Sequence, residues 1–130
     1  MSATERSIEI ATIAAQAAAD KLGEDIVIID VSEQLVVTDC FVVVTASNER
    51  QVGAIVDAVE ETLLKQKVKA VRREGAREGR WVLLDFIDVV VHVQHSDERS
   101  FYDLPRLWRD CPRIDFVDSS APKTEGDSAQ

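Results

Sequence analysis

The sequence contains little cysteine, and the little it has excludes a disulfide framework. There are two cysteines among 130 residues. Cys40 lies inside an apolar run and Cys111 lies near the polar C-terminal segment, so the pair lacks the spacing of a metal-ligand set. We expect Cys40 to be a buried thiol, and we expect no disulfide in a reducing compartment.

Long apolar runs and a basic leader are also missing. No apolar run approaches the roughly 20 residues that a membrane-spanning helix needs. The first residues, Met-Ser-Ala-Thr-Glu-Arg, lack the basic-then-apolar order of a secretory signal. We therefore expect a cytoplasmic protein.

Net positive charge is absent too. The formal charge is -9 and the pI is about 4.6. Phosphate backbones repel such a chain, so broad nucleic-acid binding is disfavoured, and the charge suits either a basic protein partner or solubility alone. Segment 65–80 differs, because its seven basic and two acidic residues give it +5 and leave -14 on the rest. It is the one part of the chain suited to contact RNA.

Aromatic residues make up 5% of the chain and are concentrated between residues 79 and 108. Both tryptophans, the tyrosine, two phenylalanines and both histidines lie there. The alternation of side chains along a strand places Trp81, Leu83 and Asp85 on one face. This concentration indicates a core corner, a recognition surface, or both.

The spacing of apolar residues predicts a fold in which helices cover a sheet. The predicted elements are helix 4–22, strands 25–31 and 40–45, helix 48–65, strands 67–74, 81–86 and 89–94, a polar loop at 96–100, and helix 103–110. This order predicts an α/β (α+β) fold with a mixed sheet of about five strands. We expect one domain over residues 1–117 and a disordered acidic tail over residues 118–130.

Asp85, Asp88 and His92 raise the question of a metal or acid–base site. An aspartate beside a strand turn usually bonds backbone amides, and a lone histidine in a sheet is usually structural. The sequence also has no Gly-x-Ser-x-Gly nucleophile motif. We therefore expect no catalytic residues, no metal and no cofactor.

Several motifs stand in a recognisable order. They are Asp-Cys-Phe-Val-Val-Val-Thr-Ala-Ser-Asn at 39–48, Gln51 with Ile55-Val56, Arg-Trp-Val-Leu-Leu-Asp at 80–85, Asp-Val-Val-Val-His at 88–92, and Arg-Ser-Phe-Tyr-Asp-Leu-Pro-Arg-Leu-Trp at 99–108. Together they resemble the ribosomal silencing factor family, also called iojap-like, over about residues 5–110.

The resemblance implies a translational repressor. Such a protein binds the large ribosomal subunit through that subunit's ribosomal protein fourteen, blocks association with the small subunit, and is a homodimer when free. No DNA or membrane partner is implied. The family fold is similar to that of nucleotidyltransferases but is not known for catalysis. The alternative is a nucleotidyltransferase-like enzyme with degenerate motifs, but Ala46-Ser47 lacks the glycine of a phosphate-cradling turn and no Asp-x-Asp strand follows.

The partner-binding residues are expected along the aromatic stretch. We expect contacts from Trp81, Leu83, Asp85, His92, Tyr102 and Leu104. Trp81 and Tyr102 are favoured because aromatic residues with a polar tip are common at binding surfaces. We expect His92 at the rim and Asp85 opposite a basic side chain, whereas the helical spacing of Leu107 and Trp108 assigns them mainly to structure.

Three positions depart from the family pattern. Family members usually have glycine where Ala46 and Ile87 stand, and often have glutamate where Pro105 stands. If the turn at 86–88 needs a positive φ, the β-branched Ile87 is strained there, so we expect another turn type or a mild loss of stability.

Overall fold

One mixed sheet organises the chain, and the computed structural model describes residues 2–119 of it. The strands are β1 (Glu24–Asp30), β2 (Cys40–Ala46), β3 (Arg72–Glu74), β4 (Trp81–Asp85), β5 (Val89–His95) and β6 (Arg113–Ile114). The helices are α1 (Glu5–Asp20), α2 (Glu49–Lys65), α3 (Ser96–Phe101) and α4 (Leu104–Leu107). None of the helices described between residues 2 and 119 has the length and apolar character that crossing a membrane requires.

The strand order across the sheet is β3-β4-β5-β2-β1-β6. The central pair, β2 and β5, is parallel, and the connection between them runs through α2, β3 and β4. All other neighbouring strands are antiparallel. The predicted α+β class, with helices on a mixed sheet, is confirmed, and the sheet has one more strand than expected.

The strand predicted over residues 67–74 is wrong for most of its length. Only Arg72–Glu74 is a strand. Helix α2 ends at Lys65, and the first predicted strand residues lie in the turn that closes it, where Lys67 adopts φ +64° and the amide of Val68 donates to the carbonyl of Leu63 at 2.9 Å. The helix-closing turn therefore uses residues that their alternating sequence assigned to the strand.

The polar loop predicted at 96–100 is also wrong, because these residues form α3. His95 begins this helix by accepting a hydrogen bond at Nδ1 from the amide of Asp97, at 3.0 Å. The last predicted helix, over residues 103–110, is shorter than expected and covers Leu104–Leu107. Strand β6 is two residues long and pairs with Ile28 and Ile29 of β1. No sequence pattern predicts this strand.

The two faces of the sheet carry separate apolar clusters. Helices α1 and α2 cover one face, to which β4 contributes Val82 and Leu84. The other face is built around Phe41 and Leu104, and the half-buried Trp81 packs against it. Alternation along β4 therefore sends Trp81 away from the helix-covered core.

Cys40 and Cys111 are both buried and free, and burial raises the pKa of Cys40 to about 12. The predicted buried thiol at Cys40 is confirmed. Such a thiol is protonated at neutral pH and hence unreactive.

The predicted tail begins with two described residues that contact α1. Gln16 donates through Nε2 to Asp118 at 2.8 Å, and its Oε1 accepts from the amide of Ser119 at 2.8 Å. The remainder of the predicted tail, residues 120–130, lies outside the described residues.

The turn between β4 and β5 is a tight γ-turn centred on Ile87. The amide of Asp88 donates to the carbonyl of Phe86 at 3.0 Å, and Ile87 has φ +74°. The side chain of Asp85 supports this turn by accepting from the amide of Ile87 at 2.8 Å. The positive φ expected to strain Ile87 is therefore present, in a turn type that is strained for side-chain-bearing residues.

We expect the substitution Ile87→Gly to raise the free energy of unfolding by up to about 1 kcal/mol. Glycine removes the clash that a Cβ makes at positive φ, and Ile87 is 47% exposed, so little apolar burial is lost. Denaturant unfolding measures the change, and Ile87→Ala serves as the control because it keeps the Cβ. A loss of stability in the glycine variant, relative to the unchanged protein, would contradict the strain assignment.

Candidate partner-binding surface

The aromatic residues predicted for recognition meet on the face of the sheet that α1 and α2 leave uncovered. The rings of Trp81 and Tyr102 have centroids 5.2 Å apart. The indole Nε1 of Trp81 donates to Nδ1 of His92 at 3.3 Å. His92 in turn packs edge-on against Phe41, at a centroid distance of 4.8 Å. The hydrogen bond to His92 and the neighbouring ring of Tyr102 thus hold the Trp81 side chain in place.

The exposed part of this region we call the aromatic face, and it consists of Trp81, Leu83, Phe101, Tyr102 and Leu107. Phe101 is 84% exposed, Leu107 is 73% exposed and Tyr102 is 54% exposed. Trp81 and Leu83 are half-buried. Apolar side chains exposed in one contiguous region are typical of a binding surface rather than of a monomer's solvent-facing side.

A glycine allows the loop before β4 to pass close to the backbone of Trp81. Gly75 has φ +82°, and a Cβ at this position would lie 2.0 Å from the carbonyl oxygen of Trp81. A larger residue would therefore require the backbone to move where β4 begins. The loop that starts at Gly75 sets the position of Trp81 in the aromatic face.

Polar contacts rather than core burial hold α3 against the sheet. None of the residues of α3 is buried. Arg80 Nε donates to Glu98 at 3.2 Å, and Arg99 donates to the hydroxyl of Thr45. The amide nitrogen of the Gln94 side chain donates to the carbonyl oxygen of Tyr102 at 3.0 Å. The segment that presents Phe101 and Tyr102 is therefore held by charge and hydrogen bonding.

His92 is buried beneath the aromatic face and is 6% exposed. Its Nδ1 accepts the bond from Trp81, so the neutral ring carries its proton on Nε2. Within residues 2–119, neither His92 Nε2 nor Gln94 Oε1 has a hydrogen-bond partner. Burial lowers the pKa of His92 to about 4, so the ring is neutral at neutral pH.

This pKa predicts that the protein loses stability in acid through His92. The folded-state pKa of about 4 lies below the ordinary value of 6.5, so the folded protein binds fewer protons than the unfolded chain between these values. Above pH 6.5 His92 is neutral in both states and does not lower the free energy of unfolding. As the pH drops towards 4 this free energy falls, by roughly 3 kcal/mol in all.

Urea unfolding across this pH range measures the effect, and His92→Gln is the control. Glutamine can accept the bond from Trp81 through its own oxygen but does not titrate. The difference in unfolding free energy between the two proteins should change between pH 6.5 and 4. A difference that is independent of pH in this window would contradict the account.

The structure separates the six predicted contact residues into three groups. Trp81, Leu83 and Tyr102 lie on the aromatic face. Asp85 lies on the same side of β4, but its carboxylate supports the turn and also pairs with Arg72 at 3.4 Å.

The remaining two predicted residues, His92 and Leu104, are 6% and 8% exposed and lie beneath the surface. A partner that binds this conformation does not reach His92, so any effect of His92 on binding comes through the residues above it, whereas Leu104 lines the floor of a cavity that opens on the aromatic face. As contacts, all six residues stay predictions.

Sequence reasoning missed two exposed residues. Phe101 was not named, and Leu107 was assigned to structure although its side chain is mostly exposed. An isolated phenylalanine at the end of a polar stretch was the available signal for Phe101. Trp108 is half-buried, with its ring 5.3 Å from that of Phe41.

A cavity of about 450 Å³ opens on the aromatic face. Its floor is apolar and its rim carries charged side chains. The lining residues are Trp81, Ser100, Phe101, Tyr102, Asp103, Leu104, Arg106, Leu107 and Arg109. The cavity is large enough to take side chains of a partner.

The residues considered for a metal or acid–base site do not form one. Asp85 is engaged in the turn, and the ring of His92 is covered by Trp81. Between residues 2 and 119, no group of three or more histidine, cysteine, aspartate or glutamate side chains could hold a metal ion. The arrangement is suited to recognition of another macromolecule.

Comparison with known proteins gives one family. A family model described as "Ribosomal silencing factor during starvation" matches residues 4–130. A Bacillus subtilis protein named "Ribosomal silencing factor RsfS" is 42% identical over 107 residues, which are 82% of this chain and 91% of the relative. A protein of the same name from Halalkalibacterium halodurans is 36% identical over 108 residues, which are 83% of this chain and 92% of that protein.

The fold is also found in solved structures. A crystal structure of a Chromobacterium violaceum protein is similar with a TM-score of 0.76 and 34% sequence identity, and the match covers 87% of this chain and 95% of that one. A crystal structure from Bacillus halodurans gives a TM-score of 0.73 at 33% identity, covering 87% of this chain and all of the other.

Proposed function

The chain belongs to the ribosomal silencing factor family, and from this membership we propose that it represses translation by binding the large ribosomal subunit and blocking association with the small subunit. We propose large-subunit ribosomal protein fourteen as its docking partner. The observation that carries the proposal is the aromatic face, where the half-buried Trp81 of β4 lies beside the exposed Tyr102 at the end of α3.

The contents of the aromatic face support a docking role. Tryptophan and tyrosine are enriched among residues that dominate binding energy. Trp81 is held by His92 and Tyr102, so little side-chain entropy remains to be lost when a partner binds. We therefore propose that Trp81 and Tyr102 make the main contacts, and that Leu83 and Phe101 extend them.

The charge of the chain supports a basic partner at long range. A body of charge -9 attracts a basic protein, and the attraction acts over a Debye length of roughly 10 Å. Such steering speeds association and weakens with salt. We expect the association rate with large subunits to fall as ionic strength rises.

Several further properties are part of the proposal. We propose that residues 1–117 act as one domain, that the protein works in the cytoplasm, and that it is not an enzyme. We also propose that the free protein is a homodimer. If the dimer uses the aromatic face, dimerisation and ribosome binding compete.

Co-sedimentation with purified ribosomal subunits tests the proposed binding. We expect the protein to pellet with large subunits at low salt and to remain in the supernatant with small subunits alone. A matched thermal-shift assay with magnesium and nucleoside triphosphates tests the enzyme alternative. Failure to pellet with large subunits, together with stabilisation by nucleotide, would replace the proposed function with that alternative.

A further inference from the structure

The cavity on the aromatic face combines an apolar floor with a basic rim, against the sign of the whole chain. Its floor includes Trp81 and the buried Leu104, and its rim includes Arg106 and Arg109. Both arginines are exposed. A positive rim on a chain of charge -9 requires its own explanation, because general acidity favours a basic partner.

The two arginines are not neutralised by the chain itself. Among residues 2–119, neither Arg106 nor Arg109 forms an ion pair, and the guanidinium of Arg109 only donates to the carbonyl oxygen of Arg106 at 3.3 Å. The remaining basic side chains of this region are engaged, since Arg99 pairs with Asp103 at 3.7 Å and Arg80 pairs with Glu98 at 3.2 Å. Positive charge is therefore left at the cavity.

Nearby acidic side chains do not cancel that charge. Asp103 lies on the rim, but its carboxylate pairs with Arg99 and accepts a hydrogen bond from the backbone amide of Arg106 at 3.3 Å. Asp110 lines a separate groove beside Trp108. The free guanidinium groups of the cavity are thus available to an external anion.

Resting on the proposed function, we propose that the cavity takes an apolar side chain of the docking protein together with an adjacent carboxylate, which Arg106 and Arg109 bind. Arginine pairs with carboxylates through directed, charge-assisted hydrogen bonds. The aromatic and aliphatic floor fits the apolar neighbour. A phosphate of ribosomal RNA would use the arginines but would leave this floor uncovered, so a protein carboxylate fits the whole cavity better.

The anion-binding end of the docking surface lies at Arg106 and Arg109, on and after α4. We expect the partner to present an acidic group at this end of its contact.

Charge reversal at the rim is the first test. Arg106→Glu combined with Arg109→Glu should weaken binding to purified large subunits by about tenfold or more, because two attractive contacts become repulsive. The matched control combines Lys21→Glu with Arg50→Glu, which makes the same change of charge at exposed positions on the helical side of the sheet. If both double variants weaken binding equally, only net charge matters, and the proposal fails.

The second test identifies the anion. Arg106→Lys and Arg109→Lys keep the charge and place amines at the rim, and a water-soluble carbodiimide is added to the complex with large subunits. The reagent activates a contacting carboxyl group, the amine attacks it, an amide forms and the urea leaves. Mass spectrometry should then map links from positions 106 or 109 to a glutamate or aspartate of a large-subunit protein. Arg50→Lys is the control.

The outcomes separate the inference from its premise. If the lysine variant pellets with large subunits but links no more than the Arg50→Lys control, the carboxylate is wrong. If, in addition, the charge-reversed protein loses binding, a ribosomal RNA phosphate replaces it. If the unchanged protein does not pellet with large subunits, the proposed function fails and the inference falls with it.

Discussion

Replacing Trp81 by alanine is expected to weaken binding to the large ribosomal subunit by about 2 kcal/mol or more, roughly a thirtyfold increase in the dissociation constant. The indole is half-buried in the free protein and held in place by His92 and Tyr102. Its loss removes the largest preorganised apolar surface of the aromatic face. The sheet beneath is expected to remain folded, because the helix-covered core does not include Trp81.

Titration of labelled protein with purified large subunits measures this effect, and circular dichroism checks the fold. The matched control is Trp108→Ala, which removes the other tryptophan from its contact with Phe41. We expect that variant to lose stability more than affinity per folded molecule. If Trp81→Ala unfolds the protein, or binds as tightly as the unchanged chain, Trp81 is not the main contact.

Alanine substitutions at two adjacent leucines of β4 should have opposite effects on stability and on binding. Leu84 is fully buried beneath α2, and Leu84→Ala should lower the free energy of unfolding by about 3 kcal/mol. Leu83 is half-buried on the aromatic face. Leu83→Ala should cost no more than about 1.5 kcal/mol of stability, because less apolar surface is buried there.

Binding should show the reverse order. At a temperature where both variants are folded, Leu83→Ala should bind large subunits more weakly, whereas Leu84→Ala should bind like the unchanged protein. Chemical denaturation and co-sedimentation of the same preparations give the two quantities. Equal losses of affinity in the two variants would show that the face assignment of β4 does not govern binding.

Much of the fold was predictable because the hydrophobic pattern records it directly. The run Cys40–Ala46 is buried on both faces, as its nearly continuous apolar sequence indicates. The alternation along Trp81–Asp85 gave the correct division between the two faces. Asn48 caps α2 by accepting from the amide of Gln51 at 2.8 Å, and asparagine is a common residue at the start of a helix.

The two elements that the sequence did not predict, α3 and β6, depend on contacts between residues distant in sequence. Helix α3 has no apolar stripe, and it is held by Arg80 and Thr45 from other elements. Strand β6 is defined only by pairing with β1. Neither feature leaves a local pattern that sequence periodicity could detect.

The candidate surface was predictable in part. The scarcity of aromatic residues pointed to Trp81 and Tyr102, and the structure places their rings together. The burial of His92 and Leu104 could not be predicted from the sequence, because it depends on how α3 and α4 fold back over β5. The free charge of Arg106 was hidden for the same reason, since a sequence does not show which arginines already have carboxylate partners.

We propose that this protein prevents the two ribosomal subunits from joining, and sucrose-gradient sedimentation of purified subunits tests this proposal. Subunits are mixed at a magnesium concentration that favours joining, with the unchanged protein or with Trp81→Ala. We predict that the unchanged protein reduces the joined particle and migrates with the large subunit, and that the variant leaves joining intact. An undiminished joined particle that carries the bound protein would contradict the account.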